Sequence, residues 1–325
     1  TDNPVDTLWD NKPPEPLAPV VPYDIAYSGE SHTGKRARMA EAVSDKGADV
    51  AFLGMPESVG WLLNIRGFDS PCMPFPNSAA LLDSDGHITI FINKETSTPA
   101  LRAHLGEDVA IRDLGELDTA LQSLGESGAK IALDRDNTQH YIAQQLQNNG
   151  ADVVAMDDPC MAAKAIKNAT EMANIRNAHR KDGLAFTRFL WRLDKEIGDG
   201  GTPTELELVD RLEEERYRFD DYWGQSFETI SCFGANAAKP HHRPGNDAES
   251  TFVNNSFYLV DAGGHYNDGT TDMTRTVAIG DITQQMRAYY THVLKANIAL
   301  ANGAFSPDAT QQILGQPGTD EMLDN

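Results

Sequence analysis

Five short apolar stretches, ADVAFLG, SAALLD, HITIFIN, KIALD and ADVVAM, recur between residues 48 and 156, each bounded by Gly, Asp or Asn. Patterns of helical periodicity separate them, and helices are expected over about 33–46, 98–105, 115–124 and 137–149. Strand-like runs alternating with helical ones restrict this part of the chain to an α/β domain. Asp85-Gly86, between the second and third runs, is a hairpin signal, so part of the sheet is expected to be antiparallel.

A turn cluster in DDPCMAAKAIKNATEM then gives way to one long helical pattern. Asn168 with Glu171 fits a reciprocal cap, and Ile175, Ala178, Asp182, Ala185, Phe186, Phe189 and Leu193 repeat at helical spacing. In DGGTPTELELVDRLEEER, Thr202 is expected as N-cap, with Pro203 first in the helix and Glu205 third. The glutamates of RLEEERYR read as a solvated helix face. Strand-like SFETISCF, SFYLVDAGG and TRTVAIG follow, and 283–303 reads as another helix.

With 325 residues the chain has room for two domains. A net charge of −22 argues against nucleic acid or an anionic membrane surface as partner, because a polyanion would be repelled. Three scattered cysteines, Cys72, Cys160 and Cys232, lack metal-type spacing and read as reduced, buried thiols of a cytoplasmic protein. No apolar run approaches the ~18–20 residues of a membrane span. The Pro-rich first twenty residues read as a linker with something upstream of Thr1.

Chemistry concentrates in YLVDAGGHYNDGTTDMTRT, where Asp261 and Asp272 flank a Gly-rich turn eleven positions apart. Carboxylates from adjacent strands are hard oxygen donors suited to Mn, Mg, Co or Zn. A tight turn at Asp268-Gly269 would set Asp272 opposite His265, four positions from Asp261, about 13 Å at ~3.3 Å per residue. The pair can share an ion only if the chain turns earlier or bulges, for which Gly263-Gly264 offers the freedom. Otherwise the aspartates shape turns by Asx hydrogen bonds, the role expected of Asp268. Spacing alone leaves both readings open.

The same stretch resembles the metal-binding hairpin of aminopeptidase P, the Xaa-Pro aminopeptidases of the pita-bread metallopeptidases. WLLNIRGFDSPCMPFPNSAALL (61–82) resembles the middle-domain signature of that family, KAIKNATEMANIRNAHRKDG (164–183) its entry into the catalytic domain, and FETISCFGANAAKPHH (227–242) the segment before the hairpin. NPVDTLW, near the start, is similar to the tail of the family's first domain. The resemblance implies an α/β chain, with a creatinase-like middle domain on a mixed sheet followed by a truncated α+β pita-bread catalytic domain. The expected divisions are 1–24 for a linker, 25–160 for the middle domain and 161–325 for the first part of the catalytic domain.

By the same resemblance Asp261 and Asp272 are two of five ligands to two divalent metal ions, Mn with Zn or Co as alternatives. His241 aligns with a histidine that contacts substrate and stabilises the reacting carbonyl. Family members usually carry Gly-Ala, two aliphatics, His and Tyr there; this chain reads Ala237-Ala238-Lys239-Pro240-His241-His242, which leaves His241 or His242 as the functional one. The remaining ligands, a His and two Glu, should follow Asp272, where only His292 and Glu321 occur. His292 falls inside a helix as an ordinary histidine, so the chain is expected to be a fragment, inactive alone.

The activity implied for the parent is metal-dependent release of the first residue from peptides with proline second; the alternatives are a prolidase acting on dipeptides and a metal-free pita-bread peptide-binding module. A homodimer is implied for the intact enzyme. Arg66 and Asp69 are expected as an ordinary ion pair and Trp61 as core or interface.

Overall fold

In the computed structural model, Val5 and residues 8–14, 16–245 and 251–303 are described. The chain divides into two units. The first comprises Thr1–Leu184, Arg216–Glu228 and Gly263–Asp272; the second comprises Ala185–Glu215, Thr229–Ala262 and Met273–Asn325.

Two short strands, β1 (Val21–Pro22) and β3 (Ile65–Arg66), pair antiparallel in the first unit. Its main sheet is built from β2 (Val50–Leu53), β4 (Ala79–Asp83), β5 (Ile88–Ile92), β6 (Val109–Asp113), β7 (Lys130–Leu133) and β8 (Asp152–Ala155). The strand order is β6-β5-β4-β2-β7-β8, with β4 antiparallel to both β2 and β5 and the remaining pairs parallel. The five apolar runs are thus strands of one mixed sheet. Asp85-Gly86 makes the expected turn, with Gly86 at φ +91 and its N–H donating to the Asp83 carbonyl. The parallel edge strand β6 is absent from the expectation, because only Val109 of its residues is buried and its apolar signal is weak.

Every residue of β2 is buried, and the side chains alternate between two cores. Ala51 and Leu53 join Leu82, Ile90 and the helix residues Met39 and Leu62 on one face; Val50 and Phe52 join Leu81, Phe91 and Leu121 on the other. Trp61 packs at the rim of the first core, as expected. Arg66 and Asp69 do not form the expected pair. Arg66 stacks on the Tyr23 ring at 3.8 Å, while Asp69 accepts from the backbone N–H groups of Ala18 and Asn77 at 2.9 and 2.8 Å. An aspartate with two amide donors has its lone pairs engaged without a cation.

The helix Ala169–Gly198 starts with the cap the sequence predicts: Asn168 N–H donates to Glu171 Oε2 and Glu171 N–H to Asn168 Oδ1, both at 2.9 Å. In the helix Glu205–Arg216 the cap differs from expectation. Thr204, not Thr202, forms the reciprocal pair, with Glu207. Glu205 is fully buried instead. The acidic run also departs from a solvated face, because Glu215 and Arg216 are buried and Glu215 pairs with Arg192 at 2.6 Å. Of the cysteines, Cys160 and Cys232 are buried and Cys72 is half-buried; burial pushes the Cys232 thiol up to about 12.

A second, three-stranded sheet of the first unit has the order β13-β12-β9, from β9 (Tyr222–Gln225), β12 (Gly264–Tyr266) and β13 (Gly269–Thr270). In the second unit β10 (Ile230–Phe233), β11 (Ser256–Ala262) and β14 (Met273–Ile279) form an antiparallel sheet ordered β10-β11-β14. Its core holds Phe186, Phe189, Leu193, Leu208, Leu212, Phe233, Tyr258 and Val260. The helix expected over 283–303 spans Gln284–Ala301, capped by Thr283, and His292 is exposed on it. The stretch from 304 to 325, with Glu321, lies outside the described residues.

Candidate metal site

Burial alternates strictly along β11: Ser256, Tyr258, Val260 and Ala262 are buried, whereas Phe257, Leu259 and Asp261 are half-buried. Side chains of a strand alternate between faces, so Asp261 stands on the face opposite the Tyr258–Val260 core. It lies across from Ile230 on one side and Thr274 on the other.

Asp272 precedes Met273, the first residue of β14, and stands two residues before Thr274. The turn of the ribbon is one residue earlier than the sequence predicts. Tyr266 pairs with Gly269 and His265 with Thr270, so Asn267-Asp268 form the loop and His265 does not face Asp272. Ala262 pairs with Met273, and Asp261 and Asp272 each directly precede one member of that pair in the chain.

The turn moves because Asp268 is engaged elsewhere. Rather than shaping an Asx turn, it is buried and accepts from Lys181 Nζ at 2.6 Å and from the Asn177 amide. Lys181 also pairs with Asp221. These contacts hold the ribbon tip to the helix Ala169–Gly198, and Tyr23 Oη adds a bond to the Asn267 carbonyl at 2.8 Å.

Asp261 Oδ1 is buried without a hydrogen-bond partner among the described residues. Leaving a buried polar atom unmade costs about 1–3 kcal/mol, more for a charged group, so this oxygen fits a ligand from outside the chain's own donors. Two hard carboxylates suit a divalent cation. Among the described residues no group of three or more His, Cys, Asp or Glu could hold a metal ion.

His241 is exposed in the turn after Pro240, whereas His242 is buried. His242 Nε2 lies 2.7 Å from Glu205 Oε2, and Glu205 Oε1 accepts from Phe233 N–H at 2.6 Å and Asn236 Nδ2 at 3.0 Å. The buried Glu205 thereby ties the end of β10, the following 3₁₀ turn and His242 together. Of the two histidines, only His241 is open to another molecule.

A buried cluster escapes sequence reading altogether. Asp182 accepts from Arg216 Nε at 2.8 Å and Nη2 at 3.2 Å, Tyr266 Oη at 3.0 Å and Thr271 Oγ1 at 2.6 Å. Its one signal was a charged residue inside an apolar stripe. Arg216 was masked by the acidic run before it.

Residues 11–171 match the Creatinase/Prolidase N-terminal domain, and 173–316 match Metallopeptidase family M24. The chain belongs to metallopeptidase family M24. A Caenorhabditis elegans Xaa-Pro aminopeptidase is 34% identical over 316 residues, covering 94% of this chain and 50% of the relative. A probable Xaa-Pro aminopeptidase P of Talaromyces marneffei is 32% identical, covering 93% of this chain and 47% of the relative. The chain therefore spans about half the length of these curated relatives.

Among solved structures, an X-prolyl aminopeptidase from C. elegans, described as a cytosolic enzyme with a di-nuclear active site, superposes with a TM-score of 0.92 at 31% identity. That match covers 99% of this chain and 53% of the other. A Bacillus anthracis Xaa-Pro dipeptidase shares the fold at a TM-score of 0.69 and 17% identity, covering 90% of this chain and 78% of the other. The fold is thus a creatinase-like domain on a mixed sheet followed by the α+β pita-bread arrangement of the M24 family.

Proposed function

We propose that this chain contributes the creatinase-like domain and the aspartate-bearing wall of an Xaa-Pro aminopeptidase, in which Asp261 and Asp272 ligate a pair of divalent ions. The observation that carries the reading is the buried Oδ1 of Asp261, which has no hydrogen-bond partner among the described residues. The C. elegans and T. marneffei relatives, named as Xaa-Pro aminopeptidases, support it at 34% and 32% identity; the dipeptidase, at 17%, supports only the shared fold.

Divalent ions held there supply Lewis acidity and a lowered water pKa near neutral pH. Asp261 and Asp272 fix their position from a rigid ribbon. His241, open at its turn, donates to the carbonyl oxygen as negative charge develops on it, a role whose loss typically costs ~100- to 1000-fold in rate. Proline in the second position offers no amide N–H, so recognition falls to its ring and to the free amine of the first residue. Manganese as the ion, a homodimeric assembly and a cytoplasmic location belong to the same reading. Among the described residues no helix is long and apolar enough to cross a membrane.

A chimera tests this directly, joining this chain to the second half of the C. elegans Xaa-Pro aminopeptidase. With Mn²⁺ it should release the first residue from an Xaa-Pro-Xaa tripeptide and leave Xaa-Ala-Xaa intact, and Asp272→Ala should abolish release. A folded, Mn²⁺-loaded chimera that cleaves neither peptide would sink the substrate assignment.

A further inference from the structure

We propose that the buried Asp182–Arg216 pair, acting through Thr271 and the Gly263 carbonyl, positions Asp272 for metal binding; this deepens the metal reading above and rests on it. Asp272 is exposed, and the bonds that fix its place run through the backbone beside it. That backbone is held on both sides. Thr271 Oγ1 donates to Asp182 Oδ2 at 2.6 Å and accepts from Gly264 N–H at 3.0 Å; Thr271 N–H donates to the Gly264 carbonyl at 2.9 Å. The Thr271 carbonyl accepts from Ser226 Oγ at 3.0 Å.

On the facing strand the Gly263 carbonyl accepts from Arg216 Nη1 at 3.0 Å and from Ser226 N–H at 3.1 Å. A side chain on Gly263 would overlap Ser226 Oγ and the Thr271 carbonyl, so only glycine passes between them. Asp182 and Arg216 are both 0% exposed. An ion pair buried to that depth is weak as a source of stability, since apolar residues of similar volume often serve as well. What it supplies here is direction: a guanidinium aimed at one carbonyl and a carboxylate aimed at one hydroxyl, next to Asp272. Asp182, Arg216 and Thr271 are therefore positioning residues, and groups that orient a metal ligand typically account for 10- to 100-fold in metal affinity.

The test follows the ¹⁵N-glycine-labelled chain by NMR while Mn²⁺ is added, reading paramagnetic broadening of the Gly263 and Gly264 amides, with thermal unfolding in parallel. In Thr271→Val the Mn²⁺ concentration for half-broadening should rise about tenfold or more, and Thr271→Ser should restore it. If Thr271→Val fails to fold, Ser226→Ala takes its place, with a shift of severalfold expected. A folded Thr271→Val or Ser226→Ala variant that binds Mn²⁺ like the parent, with only a lower melting temperature, overturns the positioning role alone. Where the parent alone shows no broadening, the same variants are read in the chimera with the second half of the C. elegans enzyme, and absence of broadening there overturns the metal reading and this proposal with it.

Discussion

Asp182 and Asp261 are treated in opposite ways by the same molecule. Asp182 is fully buried, yet four donors from Arg216, Tyr266 and Thr271 surround its two oxygens. Asp261 is only half-buried, yet its Oδ1 is enclosed without a donor among the described residues. The first carboxylate is satisfied by the fold and works as structure. The second is left unsatisfied, and the unmet demand is what marks it for a ligand; burial by itself would have ranked the two the wrong way round.

The largest effect should come from breaking the satisfied carboxylate. Asp182→Ala takes from the buried Arg216 guanidinium the carboxylate it donates to twice, and removing one partner of a buried pair typically costs ~3–5 kcal/mol. Urea unfolding measures this; a loss under about 1 kcal/mol would show that water replaces the carboxylate and that the cluster is not dry.

A third buried charge sharpens the contrast on pH. Lys35 is 1% exposed and has neutral acceptors, the Trp61 carbonyl at 3.0 Å and Asn64 Oδ1 at 2.8 Å, with Trp61 stacked beneath at 4.3 Å. Burial pulls its pKa down to about 8 from 10.5. Between those values the unfolded chain holds more protons than the folded one, so stability should rise with pH across that window. Lys35→Met should remove that rise, as read from denaturation midpoints between pH 7.5 and 10.5; an unchanged slope would assign it to another group.

The smallest change is expected at the unsatisfied carboxylate. Asp261→Ala deletes an oxygen that has no partner among the described residues, so stability in metal-free buffer should stay within about 0.5 kcal/mol or increase slightly, by the usual asymmetry between made and unmade bonds. A loss approaching that of Asp182→Ala would reveal a structural partner and remove the distinction between the two residues.

Much of the architecture was legible because it is local. Apolar runs of strand length, the Asp85-Gly86 turn and the Asn168–Glu171 cap are decided by neighbours within a few positions, and each appears where the sequence places it. The candidate site was half legible. Asp261 and Asp272 announce themselves by residue type, but the distance between them depends on a turn that Asp268-Gly269 signalled one residue too late.

The chain alone determined which segments become strands and helices and which acidic residues flank the glycine bend, because periodicity and turn chemistry act over short separations. Tertiary structure alone decided where the ribbon turns, which carboxylate is saturated and which of His241 and His242 is buried. Those outcomes depend on Lys181, Arg216 and Glu205, residues that lie dozens of positions from the groups they hold, and their attraction acts only after folding has removed the intervening water.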